Sequence, residues 1–177
     1  MTDVAVEGMA FIVFFCVTSF EEWLMHRYLM HHMFLGWKAP FRSHTLIHHH
    51  IFGADESYHI DNHAEGEKEE HKHHIRFAFK YGVICLSTAA LMAMALQGLS
   101  GLPVCWGILA ASSLYYVLYE YGHWCMHVPQ QRWFEQTFLF RWLDAHHRAH
   151  HRKYFKNLNV VFPLADSILH TNMSSFT

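Results

Sequence analysis

The spacing of histidines is the feature that most constrains how this chain can fold. Histidine accounts for 19 of 177 residues, and none lies between Ile75 and Gly122. Four groups stand at the ends of long apolar segments: HRYLMH at 26–31, HTLIHH at 44–49, HWCMH at 123–127 and HRAHH at 147–151. His123 and His127 are four residues apart, so on a helix they share one face and can hold one metal ion. Such spacing indicates metal ligands rather than an affinity tag or a loose histidine tract.

Three apolar segments are long enough to cross a bilayer, over about residues 4–25, 77–97 and 102–122. A hydrocarbon core of about 30 Å requires about 20 helical residues. All 13 lysines and arginines lie at 27–80 or 132–156, so three spans would put every basic residue and every histidine group on one side. The positive-inside rule makes that side the cytoplasm. A soluble, histidine-rich helical bundle is the alternative.

We therefore predict one all-α domain over residues 1–177, an integral membrane bundle of about three helices with a cytoplasmic, histidine-rich cap. The cap is formed by residues 26–76 and 123–177. Within it, the polar residues 53–74 are expected to be a mobile connector or lid with solvated histidines. The aromatic and basic segment that leads to the last histidine group is typical of an interfacial helix. The tail from residue 157 is expected to pack back against the histidines.

One set of histidines from each group gives ten candidate metal ligands: His26, His31, His44, His48, His49, His123, His127, His147, His150 and His151. Ten imidazoles exceed the about four to six positions around one ion and suit two ions. His26 and His31 are five apart, which is poor for a shared α-helical face, so a frayed or widened helix end is expected. His32 and His146 are competing choices in their groups.

Residue chemistry leaves the metal and the reaction open, because neutral imidazole suits zinc, iron, copper and nickel. A zinc hydrolase needs only three histidines and an open position. A dinuclear iron site would use O2 to attack an unactivated C–H bond, and a position at the end of membrane helices favours that chemistry. Glu22, Glu120 and Asp166 are candidates for orienting the ligands from outside the metal site. The net charge of −2 gives no basic field that would suggest nucleic acid.

The order of the four groups, H-x4-H, H-x3-HH, H-x3-H and H-x2-HH, resembles the fatty acid hydroxylase/sterol desaturase superfamily of integral-membrane, non-haem di-iron enzymes. The closing segment NLNVVFPLADSILHT is similar to the ending of that family. The corresponding positions are Asn157, Pro163, Leu164, Asp166 and Thr171. The resemblance extends over residues 22–171. A carotenoid ring hydroxylase group shares the compact length and an opening similar to EEWLMHRYLMH.

This resemblance implies two irons held by the ten histidines, with zinc able to replace iron on purification. It also implies O2 as oxidant, a lipid substrate, and a separate electron donor such as cytochrome b5 or a ferredoxin with its reductase. Many members have four membrane helices, whereas this chain offers three. The expected function is hydroxylation of an acyl chain or similar lipid. The alternatives are a carotenoid or sterol hydroxylase or desaturase of the same chemistry, and a non-enzymatic membrane metal-binding protein.

Overall fold

The computed structural model describes residues 2–77 and 79–173, and the regular structure within those ranges is helical. In chain order the α-helices are α1 (Asp3–Met25), α2 (Ala39–Phe41), α3 (His49–Ile51), α4 (Glu67–His71), α5 (Phe79–Ser100), α6 (Cys105–His127), α7 (Phe138–Arg152) and α8 (Leu164–Ile168). Two π-helices cover His26–Met30 and Arg42–His48, and 3-10 turns cover Glu56–Tyr58, Lys72–His74 and Trp133–Gln136. The predicted all-α fold class is confirmed for these residues.

Three membrane-spanning segments were predicted. Within the described residues, two helical segments are long and apolar enough to cross a membrane: Asp3–Met30, and the segment that ends with α5 at Ser100. The third predicted segment forms α6, which packs against both α1 and α5. Because α6 lies between these two helices, its face towards them is shielded and can include polar residues such as Ser112. Because α1 and α5 cover part of its surface, α6 does not need apolar residues on every face.

Close backbone contact joins α1 to α6. A Cβ atom placed on Gly107 would lie 2.2 Å from the carbonyl oxygen of Glu7, so only glycine fits there. The Glu7 carboxylate accepts a hydrogen bond from the Gly107 N–H at 2.5 Å, which satisfies a free donor at the start of α6. Ala10 and Ile108 form part of the buried cluster beside this contact. Small residues allow helix backbones to approach closely where the hydrophobic effect contributes little.

The connector at residues 53–74 is partly packed, which corrects the expectation of a mobile lid. Tyr58 and Ile60 are buried, and the Ile60 N–H donates to the His127 carbonyl at 2.8 Å. Ile60 shares an apolar cluster with Phe52 and Val128. Two apolar side chains in a polar stretch therefore fix its first half against the end of α6.

The described part of the tail, residues 157–173, packs against the histidine cap as predicted. The Glu22 carboxylate accepts hydrogen bonds from the Val160 N–H at 2.7 Å and the Asn159 amide at 3.0 Å. The Asp166 carboxylate accepts from the backbone N–H groups of Leu158 at 3.0 Å and Asn159 at 2.7 Å. Two buried acids therefore hold one irregular segment through its backbone donors.

Gly107→Ala should destabilise the protein, because the added methyl group meets the α1 backbone, which cannot yield as a side chain would. We expect a loss of about 1–3 kcal/mol in the free energy of unfolding. The matched control is Gly122→Ala on the same helix, where an added Cβ meets nothing within 4 Å. Thermal unfolding of the full chain in detergent provides the measurement. Equal melting temperatures for the two variants would contradict the close contact between α1 and α6.

Candidate metal centre

The ten histidines predicted as ligands come together in two buried clusters of five. Site A consists of His26, His31, His44, His49 and His150. Site B consists of His48, His123, His127, His147 and His151. In each site the potential ligand nitrogens all lie within 4.8 Å of one another, so each cluster could hold a metal ion.

Two π-helices explain how histidines five residues apart reach the same site. In the first, the His31 N–H donates to the His26 carbonyl at 3.1 Å, which is the five-residue bond of a π-helix. In the second, the His49 N–H donates to the His44 carbonyl in the same way. Each wider turn aligns its pair on one face, towards site A. The widened helix end expected from the sequence is therefore present, and it occurs twice.

Adjacent histidines divide between the two sites. His48 belongs to site B and His49 to site A, while His150 belongs to site A and His151 to site B. The rings of His49 and His151 lie 4.3 Å apart between centroids. One short π-helix and the end of α7 therefore supply both sites and hold them side by side. Helix α7 supplies a second site B histidine, His147. It lies four residues before His151, on the same helical face.

Distances within the clusters match ligands that share one ion. In site A the Nε2 atoms of His26 and His44 are 2.8 Å apart, and those of His31 and His150 are 3.1 Å apart. In site B the Nε2 atoms of His127 and His147 are 3.3 Å apart. Nitrogens bound at about 2.1 Å from one ion lie about 3.0 Å apart at right angles and about 3.4 Å apart at tetrahedral angles.

Backbone carbonyls set the protonation of five of the ten cluster rings. A carbonyl oxygen only accepts hydrogen bonds, so a ring Nδ1 bonded to one carries the proton and leaves the Nε2 lone pair free for a metal. The five such pairs are His26 with Leu158 (2.5 Å), His48 with His74 (3.1 Å), His127 with Tyr58 (2.8 Å), His150 with Lys156 (2.9 Å) and His151 with Phe52 (2.5 Å).

His31 reaches the same tautomer through a hydroxyl. Thr45 Oγ1 donates to the Met30 carbonyl at 2.6 Å, so its oxygen is left to accept from His31 Nδ1 at 2.9 Å. Ligand histidines in metal sites are commonly oriented by such bonds at the other ring nitrogen.

Unpartnered nitrogens also point to an ion. The buried Nε2 atoms of His48 and His123 have no hydrogen-bond partner among the described residues. A buried polar atom without a partner carries a desolvation cost of about 1–3 kcal/mol. Coordination to a metal would offset that cost, so the donor set of site B fits an ion.

Burial keeps these rings neutral. It lowers the pKa of His31 to about 2 and the pKa values of His123 and His151 to about 3, with neighbouring histidines adding to the shift. Burial also places the pKa values of His127 and His147 well below the usual range. Neutral imidazole is the form that binds metal, so the cluster is ready for coordination at neutral pH.

The three carboxylates predicted to orient the ligands act differently from that expectation. Within the described residues, neither Glu22 nor Glu120 hydrogen-bonds a cluster histidine, and Glu120 accepts from the Phe77 N–H at 3.2 Å. Asp166 acts one step further away, because it holds the Leu158 N–H while the Leu158 carbonyl accepts from His26. Orientation comes chiefly from backbone carbonyls, and these carry no residue signature in the sequence.

The competing histidines lie outside both clusters. His32 is exposed, and its Nδ1 donates to the Arg27 carbonyl at 2.7 Å. His146 Nε2 faces Asp166 Oδ2 at 3.2 Å. The connector histidines are exposed or half-buried and also lie outside the clusters: His59, His63, His71, His73 and His74.

An apolar cavity of about 100 Å³ lies between α1, α5 and α6 and reaches site A at His26. Its lining includes Thr18 and Met25 from α1 and Ser112 and Tyr119 from α6. Sequence reasoning did not identify this cavity, because the lining residues are scattered over three helices.

Replacing one ligand in each site should remove one ion at a time. We expect His127→Ala to lower the metal content from about two ions per chain to about one by disrupting site B, and His150→Ala to do the same at site A. His63→Ala, outside both clusters, is the control and should retain both ions. Elemental analysis of the purified variants provides the measurement. Loss of metal in the His63 variant equal to that in the His127 variant would contradict the assignment.

Acid should destabilise the protein after its metal is removed by a chelator. Between about pH 6.5 and pH 3, protons bind these histidines in the unfolded chain but not in the folded one, so the free energy of unfolding falls as the pH decreases. The melting temperature of chelator-treated protein should therefore drop steadily from pH 7 to pH 5. A melting temperature that stays constant or rises over this range would show that the rings are not held neutral by burial.

Comparisons with protein-family models, curated proteins and solved structures find no match for this chain. The observations that bear on function are therefore the two clusters, their surroundings and the motif resemblance.

Proposed function

We propose that this chain is a membrane di-iron monooxygenase that uses O2 and two electrons to hydroxylate an acyl chain or similar lipid. The observation that carries the proposal is the pair of buried five-histidine clusters, one of which opens on an apolar cavity between long apolar helices. The electron donor, such as cytochrome b5 or a ferredoxin with its reductase, is part of the same proposal.

The donor set supports a reactive site over a structural one. Structural zinc sites use about four ligands and are closed. The five imidazoles of each site would together hold one ion and exceed the ligand number of a closed zinc site, so they fit a metal of higher coordination number. Iron in these sites would supply activation of O2 for insertion into a C–H bond. The overall reaction takes a C–H bond, O2, two electrons and two protons to an alcohol and water.

The cavity supports an extended apolar substrate. Thr18 and His26 both line it and are eight residues apart on one continuous helical segment, which corresponds to about 12 Å along the axis. An alkyl chain lying along α1 would therefore present a methylene group near site A. Phe77 and Tyr119 border this cavity and also the small cleft beside His44 and His123, so these two side chains lie between the cavity and the cleft.

Membrane insertion is supported by the two long apolar segments and by the grouping of all basic residues near the histidines. In the proposed arrangement the cap and both metal sites face the cytoplasm. Exposed apolar residues at the start of α7, among them Phe138 and Leu139, fit a helix that lies along the bilayer surface.

The same chemistry could act on a carotenoid or sterol. Turnover of an extracted carotenoid or sterol, with none of an acyl lipid, would favour this alternative. A non-enzymatic metal-binding membrane protein is the candidate from another class. Its storage role would not require an apolar cavity ending at a ligand histidine.

The test is lipid oxidation by iron-loaded, detergent-purified protein supplied with a reduced carrier. We expect O2 consumption coupled to a hydroxylated lipid, detected by mass spectrometry. Ser112→Leu should slow the reaction about tenfold or more, because the larger side chain fills the cavity that Ser112 lines. Ser113→Leu is the matched control, because Ser113 is the next residue on α6 and its side chain is exposed. This variant should retain wild-type activity.

Measuring metal content distinguishes a variant with a blocked cavity from a misfolded one, because only a folded variant retains its ions. Both serine variants should bind about two irons per chain. Tightly held zinc that iron supplementation never displaces, with no lipid-dependent O2 consumption, would support the storage protein instead. Equal activity of the two serine variants would rule out the cavity as the substrate site.

A further inference from the structure

The proposed reaction needs two electrons per turnover that neither the lipid nor O2 supplies. The histidines of both metal sites are buried, so a carrier protein cannot touch their rings directly. An exposed group in contact with a ligand ring would shorten the path from a docked carrier.

Tyr154 provides such a contact at site A. Its ring stacks on His31 with 5.7 Å between centroids and an interplanar angle of 11°, and it lies 4.4 Å from the ring of His49. The same side chain is 38% exposed. One aromatic residue therefore spans the distance from solvent to two site A histidines. Its neighbour Phe155 is 51% exposed and lies 6.3 Å from His31.

Basic residues flank Tyr154 in the sequence. The segment RKYFK at 152–156 contains three basic residues, and no aspartate or glutamate occurs between Ala145 and Ala165. Arg152 and Lys153 are exposed and form no salt bridge among the described residues. This surface, which we name the 152–156 patch, therefore presents unpaired positive charge around an exposed aromatic ring.

We propose that the 152–156 patch is the docking surface for an acidic one-electron carrier protein, and that electrons enter at site A past Tyr154. This inference rests on the proposed oxygenase function. In each encounter the reduced carrier loses one electron and the metal centre gains one, and two encounters supply one turnover. No covalent bond changes in the transfer. The cations select a negatively charged partner and speed its approach.

Anionic lipid headgroups are the other partner that a basic and aromatic patch could attract. The direct contact of the Tyr154 ring with His31 and His49 favours the carrier protein, because this contact has a role in electron entry and none in headgroup binding.

Carrier affinity tests the patch independently of turnover. Zinc-loaded full chain in neutral-lipid nanodiscs is titrated with a soluble cytochrome b5 domain and with a [2Fe–2S] ferredoxin, at low and high salt. We expect at least one carrier to bind in a salt-sensitive manner, and Lys153→Glu to raise its Kd about tenfold at low salt. Lys68→Glu is the matched control, because Lys68 is an exposed cation on α4, and it should leave the Kd unchanged.

Stopped-flow reduction of iron-loaded protein tests the electron path. Tyr154→Ala should slow reduction by the bound carrier about tenfold while leaving reduction by dithionite and the metal content unchanged. Tyr154→Phe should restore the rate, because the ring contact with His31 and His49 is retained. Equal rates for the alanine and phenylalanine variants would overturn the role of Tyr154.

The outcomes separate this inference from the proposed function. Carrier-driven lipid hydroxylation with equal Kd values for the Lys153 and Lys68 variants would leave the oxygenase standing and overturn the patch. If Lys153→Glu instead abolished stabilisation by anionic lipid with carrier affinity unchanged, the patch would be a headgroup contact. If neither carrier bound and iron-loaded protein consumed no O2 with lipid, both the inference and the proposed function would fail.

Discussion

The burial of ten neutral imidazoles with their lone pairs turned inward is the constraint on which the rest of this fold depends. Withdrawing so many polar nitrogens from water is costly unless each finds a partner. Carbonyl groups satisfy one nitrogen on several rings, such as that of Tyr58 for His127, and leave the other facing a shared centre. Metal coordination is the interaction that would complete the set, so folding of the cap and binding of ions are expected to be coupled.

The long helices serve this centre by fixing where their ends lie. The close α1–α6 contact at Gly107 sets the spacing of two helices whose continuations carry His26 and His127. Near the cap, Glu22 ties α1 to the tail, and the tail in turn supplies the carbonyl that holds His26. An error in helix packing far from the cap would therefore displace ligands, because α1 and α6 run without a break from that contact to the cap.

All ten histidines named from the sequence lie in the two clusters. For His123 and His127 the reason is the backbone period, which puts residues four apart on one helical face. It did not reveal that His48 and His49 face different sites, because that division depends on the π-helix formed there. The carbonyl partners were also unpredictable, as a backbone carbonyl is the same in every residue. Tyr58 and Ile60 show a third limit: a polar stretch can be anchored by two apolar side chains whose contacts are distant in sequence.

The origin of the carbonyl partners has a consequence for the order in which the two sites can be completed during synthesis. Site B takes its partners from Phe52, Tyr58 and His74, which all emerge before its last ligand, His151. Site A must wait for Lys156 and Leu158. Site B is thus the first that a nascent chain can close, and its ion would hold α6 and α7 together while the second site is still being built.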